Sequence, residues 1–425
     1  MMKTLQQIWK TKDLRNSIGF ILLMLVLFRA AAHIPIPGVD TVALKDYFAS
    51  NQILGLYNMF SGGAMETFSV VALGVGPYIT ASIIFQLLAM IVPRLEEMQK
   101  EGQSGQEKIN QYTRLATVPL ALLQSYGIIT LLRQAGSGII SSNLGMFELV
   151  LMMITMSCGT IFLMWLGELI SERKIGNGIS ILIFAGIIAN LPTTLQQALV
   201  TFDSSQVVYW AAFAVLAILT VAGVVFITEG QRNVPIVYAK RMRGARSVGG
   251  SQTFLPLRVN MAGVIPIIFA ISIVLIPTMV AQLFTRAKTE WLADLSLKTI
   301  GLFQNQLFYG ILYFVLVFGF TYFYTAVIFH PDRVADNIQK QGGYVPGIRP
   351  GRPTAEFIQR TINRIMPAGA FFLATIAVLP IIMQESLGTA TMAIGGSSLL
   401  IVVSVAIEIV NQVNSQLTMR EYEQL

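Results

Sequence analysis

The sequence predicts an all-α membrane protein of ten transmembrane helices, arranged as two inverted, pseudo-symmetric halves of five. Three observations carry that prediction. Hydrophobic residues make up 54% of the 425 positions and charged residues only 12%, against roughly 25% charged in an ordinary soluble domain. Such a surface needs lipid to cover it. Ten apolar segments are long enough, or nearly so, to cross about 30 Å of hydrocarbon. Two short patterns recur at corresponding places in the two halves.

The segments run approximately over 18–33, 74–92, 115–132, 147–167, 178–191, 207–228, 259–284, 306–329, 365–383 and 391–413. Backbone groups in lipid must bond within their own segment, so each is read as a helix. The first, sixth and eighth are the most continuous, whereas the second and fifth are short or broken by Gly and Pro. The first half is residues 1–195 and holds spans one to five. The second is residues 196–425 and holds spans six to ten. The N-terminal stretch lacks a short apolar core followed by a small-residue cleavage site, so no removable signal peptide is expected. The lone cysteine, Cys158, lies in an apolar run, where it is expected to be a small buried hydrophobe.

Basic residues set the direction of threading. With both termini inside, the outer segments hold only Lys45, Arg133, Arg286, Lys288 and Lys298, and Arg29 lies near the end of span one. Every other Lys and Arg falls in an inner segment. The asymmetry puts both termini in the cytoplasm and accounts for most of the net charge of +7 without a nucleic-acid partner. Two inner loops are long, basic and rich in Gly and Pro turns: 229–258 and 330–364.

The internal repeat marks a pathway. Residues 74–84, opening span two, and 263–273, opening span seven, both read G-V-x-P-x-I-x-A-x-x-I. Residues 178–183 in span five and 396–401 in span ten both read G-x-S-x-L-I. An odd number of spans per half makes the related helices run in opposite directions. Gly/Pro-interrupted segments at matching places in inverted halves point to a central route through the membrane. No charge lies at mid-span to line it: Glu168 and Glu408 sit near inner ends, Glu148 near an outer end, and His33 and His330 at span boundaries. Ion-coupled carriers place such charges inside the membrane. Here the repeated segments offer Val75, Ile79, Ile179, Ile183, Ile268 and Ile401. Aliphatics on four symmetry-related helices form a hydrophobic gate, which excludes hydrated ions by dewetting.

Longer motifs carry a family likeness: IPIPG (34–38), NMFSGGA (58–64), GVGPYITASIIFQLL (74–88), FLMWLGE (162–168), GNGISILIFAGI (176–187), LPLRVNMAGVIP (255–266), GGYVPGIRPG (342–351) and GGSSLLIVV (395–403). Through them the chain resembles, over nearly its whole length, the bacterial SecY family, the central subunits of the Sec protein-conducting channel. The resemblance implies a passive channel in the bacterial plasma membrane that passes unfolded polypeptides across and releases membrane segments sideways into lipid. It maps the family's pore ring onto the same six residues. It also implies a plug half-helix at Asn58, Met59, Phe60, Ser61, Gly62, Gly63, Ala64, Met65, Glu66, Thr67, Phe68 and Ser69. Read from its residues alone, that stretch is too short and Gly-rich to span, and suits a re-entrant, lumen-filling segment.

The resemblance further implies a lateral gate between spans two and three on one side and seven and eight on the other. Thr80, Gln86 and Gln124 are its candidate polar residues. Pro266 and Pro277 are expected to bend span seven, since each removes a backbone bond. The two long inner loops become docking sites for the ribosome, whose RNA is anionic, or for the SecA motor, through Lys240, Arg241, Arg243, Arg246 and Arg349. Small subunits of the SecE and SecG kind are implied partners, with signal peptides and nascent chains as passengers. No cofactor or metal is expected, and no G-x-x-x-x-G-K-[ST] or H-E-x-x-H motif occurs in the sequence, so no enzymatic activity is expected. The alternative from another class is a small-solute secondary transporter, which needs a coordinating charge at mid-membrane. An intramembrane enzyme would need a catalytic dyad, and no convincing one is found.

Overall fold

A computed structural model describes residues 11–50, 58, 61–134, 138–140, 145–200, 207–238, 241–243, 246–248, 252–285, 289–387 and 390–423. Its elements in chain order are α1 (Lys12–Ala31), α2 (Thr41–Ser50), α3 (Gly76–Ile91), α4 (Pro93–Lys100), α5 (Gln103–Gln134), α6 (Met146–Glu172), α7 (Gly178–Val200) and α8 (Val207–Glu229). Strands β1 (Gln231–Tyr238), β2 (Arg241–Arg243), β3 (Arg246–Val248) and β4 (Gln252–Arg258) follow. Then come α9 (Ile265–Phe284), α10 (Glu290–Gln304), α11 (Gln306–Ile328), α12 (Pro331–Lys340), β5 (Gly343–Tyr344), α13 (Arg352–Leu387) and α14 (Ala390–Glu423). The fold is mainly helical.

Each of the ten apolar segments falls largely within one helix: α1, α3, α5, α6, α7, α8, α9, α11, α13 and α14. By length and composition alone, five stretches among the described residues are able to cross a membrane: Lys12–Ala31, Gln103–Arg133, Met146–Glu172, Gln306–Lys340 and Arg352–Leu379. The pair α3 and α4 makes a sixth if taken as one broken span, bent by 100°. The bend has a local cause. Pro93 opens α4 behind an extended Val92, at φ −96° and ψ 110°, because a proline disfavours helical backbone in the residue before it. Three more apolar helical stretches are shorter: Gly178–Thr193, Ala217–Glu229 and Ile265–Thr278.

The packing has two groups. Helix α5 lies against α3 and α6, α6 against α7, and α1 against α6 and α7. In the other group α13 lies against α11 and α14, α8 against α14, and α9 against α11. The groups meet along two seams, α9 on α3 and α5, and α14 on α7. One hydrophobic core runs through both groups, from Leu14 and Phe28 on α1 to Val405 and Leu417 on α14. Lipid tails are as apolar as leucine, so close van der Waals fit rather than water exclusion holds such helices together. Cys158, expected inside, is exposed on α6, because its side of that helix turns away from the core.

The sequence expectation of a purely helical chain needs one correction. Loop 229–258 folds into an antiparallel pair, β1 with β4, in register from Gln231↔Arg258 to Val237↔Gln252. The tail of β1 also pairs with β5 from the other inner loop, through Val237↔Tyr344 and Tyr238↔Gly343. Val234 and Ile236 alternate inward, as a half-buried strand requires, onto Leu257, Ile338, Val345, Ile358 and Ile362. The two inner loops are therefore one packed unit.

Candidate functional site

The first repeated pattern proves to be a helix-start device. Gly74 and Gly263 both take left-handed backbone, at φ +58° and +63°, a conformation open to glycine because it lacks Cβ. Val75 and Val264 then cap α3 and α9, with Pro77 and Pro266 in the first turn. There a proline costs nothing, since its missing N–H would have had no helical partner. Pro266 therefore starts span seven and does not bend it, contrary to expectation; only Pro277 lies inside α9. One turn on, the Ile79 N–H donates to Val75 O at 3.0 Å and the Ile268 N–H to Val264 O at 3.3 Å. The same local construction thus places Ile79 and Ile268 at equivalent points.

Val75, Ile79, Ile183, Ile268 and Ile401 are 0–8% exposed and belong to one hydrophobic core, against which partly buried Ile179 packs. The structure brings all six into that core from α3, α7, α9 and α14. The second pattern is less symmetric: Gly178 opens α7, whereas Gly396 lies within α14. Beside Ile79, Ile179 and Ile268 is a cavity of about 160 Å³, lined also by Tyr78, Gln86, Glu168, Ser171, Asn177, Phe269 and Tyr324. It draws walls from both helix groups.

The described part of the 58–69 segment, Asn58 and Ser61–Ser69, lies inside the molecule. The half-helix expectation is corrected for Ser61–Phe68, which form consecutive turns, and for Ser69, which bridges to Pro35; Asn58 is helical, and Met59 and Phe60 lie outside the described residues. Gly62 and Gly63 take φ +72° and +80°, which breaks a helix. Side chains replace the missing ladder: Asn58 Oδ1 accepts the Glu66 N–H at 3.0 Å and Ser61 Oγ accepts the Met65 N–H at 3.2 Å. Ser61, Gly62, Ala64, Met65, Phe68 and Ser69 are buried. The segment is fastened to α1, where Arg29 Nη1 donates to Gly62 O at 2.8 Å and Thr67 Oγ1 to Ala32 O at 3.0 Å. It also touches α7 backbone to backbone. A Cβ on Gly62 would lie 2.9 Å from the Gly186 Cα, and one on Gly63 would lie 2.9 Å from Asn190 Oδ1.

Sequence reasoning missed Arg29, Gly186 and Asn190. Arg29 had a signal, since a charge within an apolar span needs a partner. Gly186 had none, because one glycine in a membrane helix is unremarkable until the backbone facing it is known.

Of the candidate gate residues, Thr80 and Gln124 are buried and meet where α3 packs on α5, with Gln124 Nε2 3.5 Å from Thr80 Oγ1. Gln86 Nε2 donates to Ser82 Oγ at 3.0 Å, and its Oε1 is buried without a partner among the described residues. Across the seam, the Phe269 ring of α9 sits edge-on to Tyr324 of α11 at 5.7 Å. Beside the cavity, Arg114 of α5 pairs with Glu168 of α6 at 2.5 Å.

The candidate docking residues fall on two parts of the inner loops: the separate β2–β3 sheet and the turn after β5. Arg241, Arg243 and Arg246 lie on the β2–β3 pair, where Arg243 opposes Arg246; Lys240 lies outside the described residues. Arg349 is exposed. Its turn is framed by Gly347 and Gly351 at φ +81° and +92°, and its carbonyl accepts Thr354 Oγ1 at 2.9 Å.

Comparison with known proteins identifies the lineage. The SecY family model matches residues 69–410. The protein translocase subunit SecY of Corynebacterium glutamicum is 45% identical, with 100% of both chains covered. Those of Streptomyces galbus and Mycobacterium bovis are each 43% identical, covering 100% and 97% of this chain and 99% and 97% of theirs. Among solved structures, a protein-conducting channel aligns with TM-score 0.62 at 16% identity, covering 96% of this chain and 92% of that one. Sec61 in the canine ribosome–channel complex aligns over the same shares with TM-score 0.58 at 16% identity. The family match over most of the chain and the full-length identities have one meaning: the chain belongs to the SecY family.

Proposed function

We propose that the chain is the pore of a protein translocase, a channel that passes unfolded polypeptides across the bacterial plasma membrane and releases apolar segments into it. The observation that carries this reading is the aliphatic core where four helices from both groups converge. Val75, Ile79, Ile183, Ile268 and Ile401 are buried in it, with Ile179 packed alongside. Ala64 and Val71, within the turn-rich stretch before α3, belong to the same core. An aliphatic constriction holds back hydrated ions without a charged filter, and a flexible chain can push it apart because no covalent or ionic link closes it. The two helix groups act as halves 1–195 and 196–425, and the segment from Asn58 to Ser69 is the plug.

The lateral exit is the α9 seam with α3 and α5, with Thr80, Gln86, Gln124 and Pro277 along it. A passenger segment sorts by partition: each central Leu or Ile favours lipid by a few tenths of a kcal/mol, and each Asp, Lys or Arg disfavours it by roughly 2.5–3.5 kcal/mol. The chain has no nucleotide-binding motif, so work comes from outside, from a SecA-type motor or a ribosome. Either docks on the two inner loops, through the arginines of β2–β3 and Arg349 on the turn after β5. SecE- and SecG-type subunits complete the assembly, with both termini cytoplasmic by the distribution of Lys and Arg.

The test is electrical. Ile79→Ser with Ile268→Ser widens and wets the constriction from both halves, and resting ion conductance in planar bilayers is expected to rise by about tenfold or more. Unchanged conductance with normal membrane insertion contradicts the ring.

A further inference from the structure

Helix α10, between spans seven and eight, divides into three faces. At 3.6 residues per turn, Leu292, Ser296, Thr299 and Phe303 form one stripe; Ser296 and Phe303 are buried, and Phe303 joins the main core. This stripe holds α10 against α9 and α11, both of which it packs on. A second stripe, Glu290, Asp294, Leu297 and Gly301, is exposed and carries the helix's two carboxylates. The third stripe is Trp291, Leu295, Lys298 and Leu302. Its apolar members are 65%, 53% and 53% exposed, and Lys298 reaches back to Asp294 at 2.8 Å.

We infer that α10 lies in the headgroup–acyl boundary of the outer leaflet, with the Trp291, Leu295 and Leu302 stripe in lipid and the carboxylates in water. Continuity with the bilayer identifies the occupant. The C-terminus of α10 is joined by Asn305 alone to α11, which begins the Gln306–Lys340 candidate span. Asn305 makes the corner: its Oδ1 accepts the Leu307 and Phe308 N–H groups at 3.0 and 3.3 Å, so α11 starts at once and α10 is held at the depth where that span begins. A tryptophan prefers that depth, with its apolar body in acyl chain and its N–H among headgroups. Lys298 snorkels from the same stripe, its stem apolar and its ammonium in the headgroups. Because α10 packs on both α9 and α11, the anchor ties these two helices to each other at their outer ends.

Trp291 is its own probe. Trp9, Trp165 and Trp210 are replaced by Phe, and the protein is reconstituted in phosphatidylcholine–phosphatidylglycerol vesicles brominated at shallow, middle or deep acyl positions. Blue-shifted Trp291 emission is expected, quenched about twofold more by shallow than by deep bromines, as for an interfacial helix. Red-shifted, unquenched emission places the stripe in water and overturns the inference. Blue-shifted emission that no brominated lipid quenches means that protein covers the stripe, and overturns it equally. Should the triple replacement fail to assemble, a nitroxide on Leu302→Cys, with Cys158→Ala, reads the same face. Relaxation by oxygen above that by a water-soluble nickel complex supports lipid contact, and the reverse overturns it.

Discussion

At the residue scale, the 61–69 segment is held against α7 by a close approach of backbone to backbone. Gly62 and Gly186 meet with no room for a methyl group: a Cβ on Gly186 would lie 2.8 Å from the Gly62 Cα. Gly186→Val must therefore push the proposed plug segment off α7, at a cost of about 1–3 kcal/mol for overpacking. The expected result is lower thermal stability together with raised resting conductance. Gly19, by contrast, has open space where its Cβ would be, so Gly19→Ala should be neutral or stabilise by about 0.5–1 kcal/mol through helix propensity. Thermal unfolding of both variants in detergent checks the pair. The meeting of the six aliphatics at one buried core was readable residue by residue because each sits in a repeated pattern. The glycine contact was not, since nothing local in the sequence says which backbone α7 will face.

At the element scale, the helical character of the apolar segments was legible because lipid leaves the backbone no choice but helix. Their ends were less so. The G-V-x-P pattern was read as the opening of span seven, but Pro266, expected to bend that span, stands in its first turn. The buried course of the 58–69 segment suits its glycines and shortness, but its turns were not legible, because they rest on Asn58 and Ser61 side-chain bonds to later N–H groups. The inner loops read as separate basic stretches, while strand pairing between residues far apart in sequence joins them. That union makes a prediction. The turn that presents Arg349 stands on this sheet unit, and a guanidinium offers a planar fork that an ammonium does not. Arg349→Glu should abolish transport of a secreted passenger into vesicles while leaving assembly intact, and Arg349→Lys should restore it only in part. Normal transport by the Glu variant would leave the basic loops as topology signals alone.

At the scale of the whole molecule, two helix groups share one core and touch along two seams, and the ring residues lie where the groups converge. On the proposed reading, a passenger passes between the groups at this point, not along the lipid-facing surface. The most direct test places a photoreactive amino acid singly at Ile183, at Ile401 and at Val26. The first two are buried in the shared core, and Val26 is 63% exposed on α1. A secretory passenger arrested midway is then irradiated in vesicles. Cross-links to the passenger at positions 183 and 401, with none at 26, are the predicted result. Cross-links confined to position 26, or absent from both core positions while the passenger is demonstrably half across, would contradict it.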